Sequence, residues 1–278
     1  MSADGTANTA KTVAALSIAG SDSSGGAGIQ ADLKTFAALG VYGATAIPAI
    51  TAQNTLGVTA VHLIPGDIVA AQIDAVFADL NVRAVKTGML GGAEQIGATA
   101  DRLRRWAGDV PVVVDPVMVS TSGARLLEAS AVRALVEGLF PLADIITPNL
   151  AEAAALLDVS IARTDGEIDE QARRFYALGP RAVLIKGGHR DDATATDVLF
   201  DGTEIHRFTA SRVPTRNTHG TGCTLSSAIA AHLATGVPIA AAVEAAKAYL
   251  QGALLAADAF HIGDGAGPVA HFWKMPKI

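Results

Sequence analysis

The uninterrupted aliphatic runs of this chain leave it few folds. Val112-Val113-Val114 and Val183-Leu184-Ile185 have no alternating polar positions, so a strand built from either needs cover on both faces. Helical patterns separate such runs along the chain. Val13–Gly20 reads as a strand and Gly28–Leu39 as a helix closed by Gly40, with Ile29, Leu33 and Phe36 on one face. The spacing predicts further strands over Ala44–Thr51, Val58–Ile64, Val82–Thr87, Val110–Asp115, Asp144–Thr147 and Ala182–Lys186. It predicts helices over Asp67–Leu80, Ala93–Trp106, Ala129–Leu139, Leu150–Leu157 and Ile168–Leu178. Asp197–Phe200 and Glu204–Phe208 break the rhythm and read as a hairpin at a sheet edge, turning on Asp201-Gly202. The pattern is that of one doubly wound α/β/α domain with a mostly parallel sheet.

Composition narrows the class further. With 278 residues, half of them hydrophobic, the chain can bury a large core. A net charge of −6 without a Lys/Arg cluster argues against nucleic acid or an anionic membrane as partner. A single cysteine excludes an intrachain disulfide and a multi-cysteine zinc site, and suits a reducing cytoplasm. The apolar runs are short and broken by Gly, Pro or charge, so no segment is expected to span a membrane. Residues 1–11 are small and polar and are expected to be disordered, ahead of one domain over 12–278.

Ligands of open α/β sheets sit beyond the carboxyl ends of the strands, and polar residues recur at those ends. Val112-Val113-Val114 runs into Asp115-Pro116, Ile145-Ile146-Thr147 into Pro148-Asn149-Leu150-Ala151-Glu152, and Val183-Leu184-Ile185 into Lys186-Gly187-Gly188-His189. Each has an innocent reading: Asp115 as a turn cap, Asn149 and Glu152 as a capping box, Lys186 as a solvent-facing lysine. Together they supply two carboxylates for hydrated Mg²⁺ and a lysine for phosphate charge. Asn217-Thr218-His219-Gly220-Thr221-Gly222-Cys223-Thr224 adds a glycine loop opening onto a small-residue helix, which gathers N–H groups around one anion. Cys223 falls in that first turn, where a thiol pKa is expected to be lowered.

A second glycine loop runs from Gly20 to Gly28. Gly26 to Ala31 matches G-x-G-x-x-A, but four polar residues intervene after the strand and no acidic residue ends the next one, which argues against a dinucleotide-dependent oxidoreductase. Asp32 shares the inward face of the following helix with Ile29 and Phe36, so it needs a partner, either a protein cation or a ligand amine. Gln53 offers both a donor and an acceptor, which suits the edge of a nitrogen heterocycle.

Ala19 to Phe36 resembles the opening of the hydroxymethylpyrimidine/phosphomethylpyrimidine kinases of thiamine biosynthesis, within the ribokinase superfamily. Thr51-Ala52-Gln53-Asn54-Thr55, Lys86-Thr87-Gly88-Met89-Leu90, Asp115-Pro116-Val117-Met118-Val119, Lys186-Gly187-Gly188-His189 and the Cys223 loop follow in that family's order. The resemblance covers nearly the whole chain from Val13 onward. It implies a ribokinase-like three-layer α/β/α sandwich, a homodimer, and ATP-dependent phosphorylation of 4-amino-5-hydroxymethyl-2-methylpyrimidine and then of its monophosphate. Carried over by motif, Asp32 and Gln53 read the pyrimidine's nitrogens, and Gly20, Met89 and Val117 line the ring pocket. Asp115 and Glu152 hold Mg²⁺, and Lys186, Asn149 and Thr218 meet ATP. Gly220, Thr221, Gly222 and Cys223 surround the transferred group, with Cys223 as either base or anion-hole donor where sugar kinases of the superfamily place an Asp. Ser120 to Arg125 is the lid candidate. A pyridoxal kinase is the nearest alternative, and the Ala52-Gln53-Asn54-Thr55 pattern favours the pyrimidine. A non-catalytic sensor is more distant, since the residues expected to hold metal and phosphate are all present.

Overall fold

The computed structural model describes residues 11–118, 128–188, 193–259 and 261–275. Val119, the Ser120–Arg125 lid candidate, His189 and residues 1–10 of the expected disordered start lie outside them.

Six parallel strands form the centre: β1 (Ala14–Ile18), β2 (Tyr42–Ala46), β5 (Val82–Thr87), β6 (Val112–Val114), β7 (Ile145–Ile146) and β8 (Val183–Ile185). β9 (Thr194–Phe200) and β10 (Ile205–Ser211) pair antiparallel with each other, and β9 joins them to β8, giving the order β10-β9-β8-β7-β6-β5-β1-β2. The edge hairpin expected from Asp201-Gly202 is therefore present, with Asp201 Oδ1 accepting from the N–H groups of Thr203 and Glu204 across the turn. Val112, Val113, Val114 and Val183, Leu184, Ile185 are all fully buried, as uninterrupted aliphatic strands require.

Helices cover both faces. α2 (Gly66–Asp79), α3 (Ala93–Trp106), α4 (Ala129–Gly138), α5 (Leu150–Leu157) and α6 (Asp165–Tyr176) pack on one side, burying Ile73, Leu103, Leu135, Ala153 and Ala172. α1 (Gly28–Ala38), α7 (Thr221–Ala234) and α8 (Ile239–Leu255) pack on the other with Phe36, Ile229 and Tyr249. The helical stretch Ile239–Ala259, which is α8 with the turn that follows it, is long and apolar enough by composition to cross a membrane. Its Ala242, Val243, Ala246, Tyr249 and Ala253 are instead buried in this core.

One expectation needs correcting. The stretch Ala44–Thr51 is not a single strand, and Val58–Ile64 does not join the main sheet. Pro48 has no N–H to continue the ladder, and the chain leaves the sheet there. The Ile47 N–H goes to the Gln72 side chain instead. β3 (Ala49–Asn54) then pairs with β4 (Gly57–Leu63) as a separate antiparallel ribbon. Asn54 Oδ1 closes its turn by accepting from the N–H groups of Leu56 and Gly57.

Small residues let α7 and α8 lie close to the sheet, so added volume there has nowhere to go. Ala246→Leu is expected to lower unfolding stability by about 1–3 kcal/mol through overpacking, as read by urea denaturation.

Candidate active site

The parallel strands end on one edge of the sheet, and a cavity of about 640 Å³ opens beyond it. Gly20, Gln53, Met89, Val117, Asp115, Asn149, Glu152, Lys186, Thr218 and the Gly220–Cys223 turn all border this cavity. Thirteen of the fourteen residues singled out from the sequence thus meet in one place; Asp32 is the exception.

At one end of the cavity, Gly220 precedes α7 in the left-handed conformation, at φ 79°. A Cβ there would lie 1.9 Å from the Gly26 carbonyl oxygen, so the two glycine loops touch backbone to backbone. The first-turn N–H groups of Gly222 and Cys223 have no intrahelical acceptor and carry the positive end of the helix dipole. Lys186 stands beside them. Its Nζ lies 2.8 Å from Asp115 Oδ1 and 3.9 Å from Glu152 Oε2.

Asp115 is nearly fully buried and also accepts from Thr147 and Ser226. Burial pushes its carboxyl up, but Lys186 and Lys86 outweigh burial and hold it below the usual range. Glu152 goes the other way. Burial pushes it up to about 7 against the pull of Lys186, and the Asp115 charge adds to the rise. Asn149 and Glu152 form the capping box of α5: Asn149 Oδ1 accepts the Glu152 N–H, and Glu152 Oε2 accepts the Asn149 N–H. The innocent and functional readings of this pair therefore coexist, because the box holds both side chains at the cavity wall.

At the other end, the β3–β4 ribbon carries Gln53 to the cavity. Ser23 Oγ accepts the Gln53 N–H and donates to its carbonyl oxygen, each at 2.8 Å. The Gln53 amide lies between Thr51 Oγ1 (3.1 Å) and His219 Nε2 (3.4 Å). Gly20 packs closely against Met89; a Cβ there would come within 2.5 Å of Met89 Cε.

Two expectations are overturned. Asp32 does not face the cavity: it is fully buried, and its carboxylate takes Lys86 Nζ at 2.8 and 2.9 Å, Ser17 Oγ at 2.5 Å and Ser227 Oγ at 2.6 Å. Of the two partners the sequence allowed, the protein cation is the one it has. Cys223 is not a low-pKa thiol either. It borders the cavity, but burial pushes it up to about 11; Lys86 opposes this, and the Asp32 and Asp115 charges add to it.

Three residues escaped sequence reasoning: Lys86, Asp22 and His219. Lys86 was visible inside the Lys86–Leu90 motif, but nothing in that motif says which way its side chain turns. Asp22 and His219 sit one in each glycine loop and meet at 2.8 Å, a contact across 197 positions that spacing does not announce. Asp22 also accepts from the N–H groups of Ser24, Gly26 and Ala27. Although burial opposes it, these bonds hold its carboxyl well below the usual range.

The chain is similar to proteins named as kinases. The family described as phosphomethylpyrimidine kinase matches residues 22–270. A hydroxymethylpyrimidine/phosphomethylpyrimidine kinase from Rhizobium meliloti (strain 1021) is 60% identical over 266 residues, covering 96% of this chain and 99% of that one. The crystal structure of phosphomethylpyrimidine kinase from Clostridium difficile 630 is 44% identical, with a TM-score of 0.78 over 87% of this chain and all of that one. A pyridoxal kinase from Staphylococcus aureus, solved with AMP-PCP and pyridoxal, is 32% identical, with a TM-score of 0.86 over 95% of this chain and 94% of that one. Backbone similarity alone therefore does not separate the two kinds of kinase, whereas identity along the chain does. On that ground, and with the three-layer ribokinase-like fold in place, the chain belongs to the phosphomethylpyrimidine kinase family.

Proposed function

We propose that this kinase transfers the γ-phosphoryl group of ATP to the hydroxymethyl group of 4-amino-5-hydroxymethyl-2-methylpyrimidine, and then a second phosphoryl group to the resulting monophosphate. One observation carries the reading. A single cavity has an amide suited to a nitrogen heterocycle, Gln53, on one wall, and a helix N-terminus with a lysine, Lys186, on another. Positioning and charge neutralisation are most of what phosphoryl transfer asks of a protein.

The roles follow from placement. Gln53 pairs with the ring edge while Gly20, Met89 and Val117 enclose its faces. Thr218 and Asn149 flank the nucleotide phosphates. Lys186, held now by Asp115, neutralises phosphate charge on moving the short distance towards it. Asp115 and Glu152 fit a divalent cation, since an ammonium already sits between them and Glu152 is short of positive charge. Bound there, Mg²⁺ would supply charge neutralisation for the phosphates. The N–H groups of Gly222 and Cys223 receive the charge on the transferred group. The ribbon leaves Ile50, Ala52 and Ala60 exposed, an apolar surface that suits a second copy of the chain and supports a homodimer.

Phosphorylation assays with hydroxymethylpyrimidine, its monophosphate and pyridoxal, each with Mg-ATP and mass detection of products, test the proposal. Turnover of both pyrimidines with pyridoxal slow or absent is expected. Turnover of pyridoxal alone would move the assignment to the neighbouring kinase.

A thiol pushed up to about 11 stays protonated at neutral pH and is no base. Cys223→Ala keeps the backbone N–H groups, so its kcat is expected to fall by no more than about tenfold, with no lost limb in the pH–rate profile. A fall of several orders of magnitude would restore the base role.

Glu152, at about 7, must lose a proton before it can hold a cation. Mg²⁺ affinity measured by calorimetry is therefore expected to rise with pH up to about 7 and level off above it. Glu152→Gln should flatten that dependence.

A further inference from the structure

The phosphoryl acceptor has to sit between the ring pocket and the N-terminus of α7, and the floor between them contains a group with no assigned task. Lys86 is fully buried and borders the cavity alongside Ala19, Gly20 and Cys223. Its Nζ occupies the space that a side chain at Gly88 would need, 2.8 Å from a Cβ placed there. An ammonium has three hydrogens to give. Asp32 takes two, at 2.8 and 2.9 Å, and among the described residues no acceptor takes the third. Asp32 itself is saturated by Ser17 and Ser227, so it is fixed, and it fixes the lysine in turn. Burying an ammonium with one donor unmet is costly unless something arrives to meet it.

We propose that Lys86 is a catalytic residue whose third N–H binds the acceptor oxygen of the substrate: the hydroxymethyl oxygen in the first phosphorylation and a phosphate oxygen of the monophosphate in the second. This rests on the functional reading above. In the first reaction the hydroxymethyl oxygen forms a bond to the γ-phosphorus while the bond from that phosphorus to the bridging oxygen breaks, its electron pair leaving with ADP. The hydroxyl proton passes to an oxygen of the transferred phosphoryl group. Lys86 stabilises the charge that grows on the acceptor oxygen, which removes the need for a strong base beside a protonated Cys223. In the second reaction the acceptor oxygen is already anionic and no proton moves. There Lys86 supplies the cation that a phosphate monoester needs in so enclosed a place.

Removing Lys86 alone would strand the Asp32 charge and endanger the fold, so the informative protein is the double variant Lys86→Met/Asp32→Asn, compared with Asp32→Asn. Calorimetric binding of the pyrimidine monophosphate without nucleotide, binding of ADP, and kcat for each phosphorylation are the readouts. The double variant is expected to bind the monophosphate at least about tenfold more weakly and to lose about 100-fold in both kcat values, with ADP affinity unchanged. Asp32→Asn, which keeps the ammonium but loosens its anchor, is expected to lose less than the double variant in both monophosphate binding and kcat. A double variant with parental binding and rates would overturn the inference and leave the kinase assignment standing. An equal loss in both variants would also overturn it, making Lys86 a mere partner of Asp32. A parent protein that binds neither pyrimidine would overturn the functional reading and this inference together.

Discussion

Asp22 accepts hydrogen bonds from the Ser24 hydroxyl, from the N–H groups of Ser24, Gly26 and Ala27, and from His219 on the far glycine loop. The rest of the site depends on this carboxylate. It shapes the first loop around itself and ties that loop to the second, so that Gly26 and Gly220 can touch. His219, once held, stands beside the Gln53 amide. The two ends of the cavity are thereby fixed relative to one another by one buried hydrogen-bonded carboxylate, whose removal would leave several N–H groups unmet at about 1–3 kcal/mol apiece.

A second feature is how unevenly charge is spread through the interior. Two lysines and three carboxylates, Lys86, Lys186, Asp32, Asp115 and Glu152, lie under or around one cavity, and Ser226 and Ser227 of α7 reach two of those carboxylates in turn. Ion pairs buried like this roughly break even against apolar packing, so stability does not account for them. Their environments also push them apart: Asp115 is held below the usual carboxylate range while Glu152 is pushed up to about 7. That divergence is the mark of groups arranged for a ligand.

Much of this was legible in the sequence, and what was not has particular causes. Runs such as Val112–Val114 and Val183–Ile185 forced a parallel sheet covered on both faces, and the residues following them were found at the cavity. Leu150–Leu157 and Ala93–Trp106 came out with the bounds that their periodicity suggested. The break at Pro48 was missed because apolar residues continue across it, and a missing N–H matters only when the strand is seen beside its neighbour. Asp32 was misplaced for a related reason. Helical spacing gives the face a carboxylate occupies, but its partner, Lys86, arrives from a strand 54 positions away. Cys223 failed on burial, since a helix dipole is local information and desolvation is not.

The departure of the chain at Pro48 has a consequence for how such a kinase can diversify. Gln53 rides on a ribbon outside the main sheet, attached near its tip through Ser21 and Ser23. Asp115 and Lys186 directly follow strands of the sheet itself, and Glu152 sits in the first turn of α5, which follows β7. Under the proposed function, acceptor choice and phosphoryl chemistry therefore sit on separate mechanical supports. A lineage can redraw the ribbon to recognise a different ring while its phosphate machinery stays where it is.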